Sequence, residues 1–215
     1  QDVAFLQYVR CPIILSLPQH WTGRQWQQPG HAATREGIDV TERANHVHAN
    51  ATGVTGKYTT NGRPNGYATL TPFIVVDRPA EAIAFYEKVF GAKAKNVTSF
   101  GDGEQRTIVH ADIDFGNGYL QLGGPNPAYD LVLPPGEGKA CYSLGIYVAD
   151  VDRTLALAVE NGAVVREPAT NFVSGDRYAS IVDPFGIRWS IMTRIEDIPE
   201  DESFRRVEEW SKSMG

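Results

Sequence analysis

The chain predicts an α+β fold of two βαβββ modules, with an irregular N-terminal arm and a closing C-terminal helix. Three observations predict it. The order strand, helix, strand, strand, strand read over residues 70–122 recurs over residues 142–192. Landmark residues recur with it: Ile74-x-Val76 with Ile146-x-Val148, Gly91-Ala92 with Gly162-Ala163, and Asp114-Phe115-Gly116 with Asp183-Pro184-Phe185-Gly186. A Pro/Gly-rich stretch, residues 125–140, separates the two copies, and self-similarity of this kind marks a duplicated unit.

The elements follow in order. Residues 1–67 hold a short strand candidate at Cys11–Leu17, two tryptophans (Trp21 and Trp26) and no sustained period of 2 or 3.6, so they read as an extended arm. Thr71–Val76 reads as a strand, with Pro72 at its start. Asp77 is the expected cap of the next helix, Pro79 sits in its first turn, Ile83, Tyr86, Val89 and Phe90 recur at helical spacing, and Gly91 supplies the left-handed stop. Strands are expected at Ala94–Phe100, Thr107–Phe115 and Tyr119–Leu122, separated by Gly, Asp and Asn turns.

The second module repeats this. Tyr142–Val148 is a strand, Asp150 caps a helix carrying Val151, Leu155, Ala158 and Val159, and Gly162 ends it. Strands follow around Val164–Glu167, Tyr178–Val182 and Ile187–Met192. A charged helix from about Pro199, with Phe204, Val207, Trp210 and Met214 on one face, closes the chain. The division expected is an arm at 1–67, a paired domain at 68–195 (modules at about 68–124 and 141–195, linker 125–140) and the closing helix in 196–215.

Composition excludes several classes. Of 215 residues, 42% are hydrophobic and 21% charged, and no apolar run exceeds five residues, too short to cross a bilayer. Twenty basic against 26 acidic residues, net −6, argue against a nucleic-acid surface. The charge is uneven, +2 over residues 1–69 and −8 over the rest. Two cysteines, Cys11 and Cys141, make neither a disulfide framework nor a cysteine zinc site. Gln1–Pro18 lacks the charge and apolar core of a signal peptide, so a cytoplasmic location is expected.

The duplicated unit, the string Ile83-Ala84-Phe85-Tyr86-Glu87-Lys88-Val89-Phe90-Gly91-Ala92, and Asp183-Pro184-Phe185-Gly186-Ile187-Arg188-Trp189-Ser190 together resemble the vicinal oxygen chelate superfamily. That superfamily includes glyoxalases, bleomycin-resistance proteins and extradiol dioxygenases. The tail Arg194-Ile195-Glu196-Asp197-Ile198-Pro199-Glu200 resembles its PhnB-like branch. The resemblance covers about residues 68–202. It implies two four-stranded sheets that curl around a concave pocket, and a homodimer.

Alternation along each strand then sorts the side chains. Ile187, Trp189 and Ile191 face the helices, leaving Arg188, Ser190 and Met192 toward the pocket. Leu144, Ile146 and Val148 leave Ser143, Gly145 and Tyr147; Val109, Ala111 and Ile113 leave Ile108, His110 and Asp112; Leu120 and Leu122 leave Tyr119 and Gln121. With Thr71, Phe73 and Tyr178, the ligand-binding candidates are Thr71, Phe73, His110, Tyr119, Gln121, Ser143, Tyr147, Tyr178, Arg188 and Ser190.

The superfamily's metalloenzymes hold a divalent ion with two side chains from each module, drawn from His, Gln and Glu. The resemblance places Thr71, Gln121, Ser143 and Ser190 at those positions. These residues bring no charge to neutralise a dication, so no metal cofactor is expected. The leading expectation is a metal-independent protein that binds a small, anionic or aromatic molecule. The alternative is a metal-dependent lyase, isomerase or dioxygenase with a site rebuilt from His110, Asp112 and His46 or His48. His110 and Asp112 lie two apart on one strand, as an acid–base pair or as a hydrogen-bonded patch on the pocket wall. Arg188 either anchors an anionic group or closes the pocket against Asp112 or Asp114. Tyr119, Tyr147 and Tyr178 either stack on a flat ligand or are ordinary half-buried strand residues.

Overall fold

The structure is a computed structural model that describes residues 52–214, apart from 104, 105 and 137. The expectations for Cys11–Leu17, Trp21, Trp26, His46 and His48 lie outside the described residues.

A short hairpin precedes the modules. Strands β1 (Thr59–Thr60) and β2 (Arg63–Pro64) pair antiparallel across Asn61-Gly62, both at positive φ, as a two-residue turn requires. Module 1 comprises β3 (Phe73–Val75), α1 (Pro79–Phe90), β4 (Lys93–Phe100), β5 (Thr107–Asp114) and β6 (Tyr119–Gly123). Module 2 comprises β7 (Leu144–Tyr147), α2 (Val151–Glu160), β8 (Val164–Asn171), β9 (Asp176–Val182) and β10 (Arg188–Arg194). Helix α3 (Glu200–Ser213) follows.

The duplication read in the sequence is a duplication of topology. The sheets have the orders β3-β6-β5-β4 and β7-β10-β9-β8. In each, the first strand pairs parallel with the last and the other pairs are antiparallel. The helix is the crossover that makes the parallel pairing possible. Both second strands also carry register shifts, β4 between Lys95 and Ser99 and β8 between Val165 and Thr170. A bulge bends a strand and re-aims a side chain. In β4 it holds Asn96 at φ 50°.

Most local expectations hold, and three are corrected. Asp150 caps α2, accepting from Arg153 N–H at 3.0 Å, and Gly91 ends α1 at φ 67°. Asp77, however, does not cap α1. Arg78 takes that position without a side-chain cap, because Pro79 begins the helix one residue after it, and Asp77 accepts from Arg78 Nε instead. Ile108 packs against the core although alternation aims it at the pocket, since it lies beside the register shifts of β4 and β5. On α3 the buried residues are Ser203 and Val207 while Trp210 meets Phe172; Met214, past the last turn, is 61% exposed.

The core lies between the helix-bearing faces of the two sheets and is continuous across both modules. Rings carry the junction: Tyr86 and Phe90 of α1 and Phe115 all pack on Trp189 of β10, and Phe85 packs edge-on to Phe185. At the centre, Asp183 is 4% exposed and accepts four hydrogen bonds. These come from Tyr86 Oη (2.7 Å), Trp189 Nε1 (3.0 Å) and the backbone N–H groups of Phe185 and Ile187 (2.9 Å each). Both Asp-Phe-Gly landmarks are therefore turns, and the second also ties the modules together.

Candidate functional site

The pocket-facing residues group by module. On the module 1 sheet the centre is Asp112 of β5, only 2% exposed. Its Oδ2 accepts from Tyr67 Oη (2.6 Å) and Asn96 Nδ2 (2.8 Å), and its Oδ1 from Gln121 Nε2 (2.9 Å). His110 Nε2 stands 3.7 Å from Oδ1 and is partly exposed. The His110 and Phe73 rings lie 6.3 Å apart. Tyr67 stacks on Tyr119 with ring centroids 4.7 Å apart and planes 15° apart. Beside them, Lys95 pairs with Asp114 at 2.5 Å.

Burial alone would raise the Asp112 carboxyl. The hydrogen bonds from Tyr67, Asn96 and Gln121, with the His110 imidazole beside it, outweigh burial and hold it below the ordinary aspartate value. A depressed carboxyl contributes stability that is fully present above its unfolded value, near pH 4, and is lost as pH falls through the folded one. Asp112→Asn is therefore expected to lower stability at pH 7 and to flatten its loss in acid. Urea midpoints of both proteins across pH 2.5–7 check this; two parallel curves would refute it.

On the module 2 sheet, alternation brings together a different set, in which Ser180, Ser190 and Tyr178 are buried. Ser143, just before β7, and Ser190 of β10 have their hydroxyls 3.3 Å apart. Arg188 Nε donates to Ser180 Oγ at 3.3 Å, and its Nη2 lies 3.5 Å from Glu167. Glu167 also accepts from Tyr178 Oη. Burial and this carboxylate push the Tyr178 phenol up. Arg188 thus meets Ser180 and Glu167, and its hydrogen bonds do not run to Asp112 or Asp114 as one alternative had it. Tyr178 is buried, whereas Tyr147 is 59% exposed on the free edge strand β7.

A cleft of about 670 Å³ opens where the modules meet, with Phe90, Phe115, Leu120, Ile146, Leu157 and Trp189 among its walls and Lys88 and Arg153 beside them. Of the predicted residues, Tyr119 and Tyr147 reach it. The remaining candidates stay with their own sheets.

A profile of the glyoxalase/bleomycin resistance protein/dioxygenase superfamily matches residues 66–191. The chain belongs to this superfamily. It is 30% identical over 136 residues to the uncharacterized protein Mb0911c of Mycobacterium bovis, covering 62% of this chain and 88% of that one. The uncharacterized protein Rv0887c of Mycobacterium tuberculosis matches at the same identity, over 78% of its length. Among solved structures, TioX from Micromonospora sp. ML1 is similar at 21% identity and TM-score 0.45, covering 61% of this chain and all of that one. Protein PA1353 from Pseudomonas aeruginosa is similar at 22% identity and TM-score 0.48, covering 59% and 98%.

The superfamily implies a metal, and the four positions that the resemblance assigns to it can be tested against it. Gln121 spends its amide on Asp112, and Ser143 and Ser190 bond each other. With Thr71 they are four neutral side chains, three of them hydroxyls. Such a set of hydroxyls and one amide does not fit a divalent ion, which takes imidazole, carboxylate or thiolate as its strong donors. Among the described residues, no group of three or more His, Cys, Asp or Glu side chains gathers elsewhere. No described helix is long and apolar enough to cross a membrane.

Sequence reasoning missed four contributors. Ser180 was legible, since it shares the alternating face of β9 with Tyr178. Glu167 required knowing how β8 lies across β9. Asn96 reaches Asp112 through a bulge that no local signal announces, and Tyr67 comes from a segment without periodicity.

Proposed function

We propose that this chain is a metal-independent small-molecule-binding protein of the superfamily, in its PhnB-like branch, that sequesters a small organic ligand carrying an anionic or aromatic group. The branch assignment is supported by the tail Arg194–Glu200. The protein acts as a homodimer in the cytoplasm, with Arg188, Ser143 and Ser190 on one sheet and His110, Gln121 and Tyr119 on the other contacting ligand. One observation supports the reading: of the residues that the resemblance places at the superfamily's metal positions, Thr71, Gln121, Ser143 and Ser190, the last three make hydrogen bonds of their own. A metal-dependent lyase, isomerase or dioxygenase would have to use His110 and Asp112, but Asp112 already accepts from three other side chains.

The test is metal content and thermal response. Protein dialysed against chelator is expected to hold far less than one metal per chain and to show no rise in thermal midpoint with Zn²⁺, Ni²⁺ or Mn²⁺. About one tightly held ion per chain, removed by His110→Ala, would overturn the reading.

A further inference from the structure

The segment between the hairpin and β3 is anchored in an unusual way. Residues 65, 66, 68, 69 and 70 are all exposed, Leu70 to 81%, and Tyr67 alone among them is half-buried. The strap is tied to the hairpin rather than to the sheet: Tyr67 N–H donates to Pro64 O, and the Arg63 guanidinium donates to Tyr67 O. What holds Tyr67 against module 1 is its side chain. The ring lies flat on Tyr119, and the hydroxyl donates to the buried Asp112 while accepting from Asn96 Nδ2 at 2.9 Å.

A stacking platform, a buried anionic acceptor and an amide donor meet here at one phenol. Each has a chemical requirement. The platform accepts any planar ring. The carboxylate accepts only from a donor, and a charge-assisted O–H bond to it is among the strong ones. The Asn96 amide, which also donates to Asp112, donates to the same oxygen, and a hydroxyl both donates and accepts. A carboxylate ligand would meet Asp112 with like charge, and an unsubstituted ring would leave Asp112 with only two of its three donors, Asn96 and Gln121.

We infer that the concave face of module 1 is a binding site for a small neutral hydroxyaromatic molecule, and that Tyr67 is its intramolecular occupant, displaced when the ligand arrives. The inference rests on the reading that the concave faces bind small molecules and names the ligand class for one of them. The anion site around Arg188 is separate from it.

The experiment uses the full chain, Tyr67→Ala, and three probes: 4-methylphenol, 4-methylanisole and toluene. A tethered occupant competes at an effective concentration in the millimolar range, so its removal should tighten 4-methylphenol binding by roughly 10-fold or more. The phenol should also raise the thermal midpoint of the variant, and the two probes without a hydroxyl should not. Adding Asp112→Asn to Tyr67→Ala should remove this selectivity. Equal rescue by toluene would mean a plain apolar hole and overturn the proposal, as would 4-methylphenol affinity no higher than in the parent. If Tyr67→Ala fails to fold, Tyr67→Leu, which keeps apolar cover over Tyr119, gives the same comparison. Benzoate titrated into the same proteins reports the Arg188 face, so loss of benzoate binding with phenol selectivity retained would count against that face and leave this inference standing.

Discussion

Asp183→Ala is expected to destabilise the protein by about 3–5 kcal/mol, because each buried donor left without its acceptor costs roughly 1–3 kcal/mol. The carboxylate takes one hydrogen bond from α1 of module 1 and three from module 2, two of them backbone. Its removal should therefore loosen the junction between modules as well as the turn. Asp183→Asn should lose less. Its carbonyl oxygen can still serve both backbone N–H groups, while its amide faces the Trp189 N–H, donor against donor. Denaturant unfolding monitored by tryptophan emission reads both effects; equal stability in all three proteins would show that the turn does not need the acceptor. Burial holds the Asp183 carboxyl above its ordinary value, and the four hydrogen bonds only partly oppose it. Its contribution accordingly weakens as pH rises from about 4 through the folded value, opposite in sign to that of Asp112.

Arg188→Ala should weaken binding of an anionic aromatic probe such as benzoate by about 10–100-fold, the equivalent of one charge-assisted hydrogen-bonded contact of roughly 1.5–3 kcal/mol. The side chain is half-buried on the face of β10 opposite Trp189 and Ile191, and a guanidinium carries five N–H donors. Its contacts with Ser180 and Glu167, at 3.3 and 3.5 Å, engage only part of that fork. Arg188→Lys should recover only part of the loss, since an ammonium keeps the charge without the planar fork. Glu167→Gln should tighten binding by removing the competing carboxylate. Calorimetric titration of the four proteins distinguishes these outcomes. Benzoate affinity indifferent to all three substitutions would exclude Arg188 as the anchor.

The fold was legible because its determinants are local and repeated. Strand alternation in Leu120–Leu122 and Ile187–Ile191, helical spacing in Ile83–Phe90, and the stops at Gly91 and Gly162 each depend on a few neighbouring residues. Duplication doubled the signal. The same alternation put Gln121, Asp112, Ser190 and Arg188 on the faces opposite the helices, where the structure has them. Expectations weakened where a single residue of register matters. Asp77 missed the cap because Pro79 begins the helix after Arg78, and Ile108 departs from the period beside a bulge.

The sequence by itself determined that this chain is a duplicated βαβββ protein, because residue type and spacing are properties of the chain alone; the metal positions at Thr71, Gln121, Ser143 and Ser190 are what the resemblance implies. Only the tertiary structure decided the company those residues keep. Tyr67 meets Asp112 across 45 positions, and Tyr86 meets Asp183 across 97. Such contacts depend on how two curved sheets and a bulged strand are stacked, and no periodicity within one segment encodes which distant hydroxyl will reach a buried carboxylate.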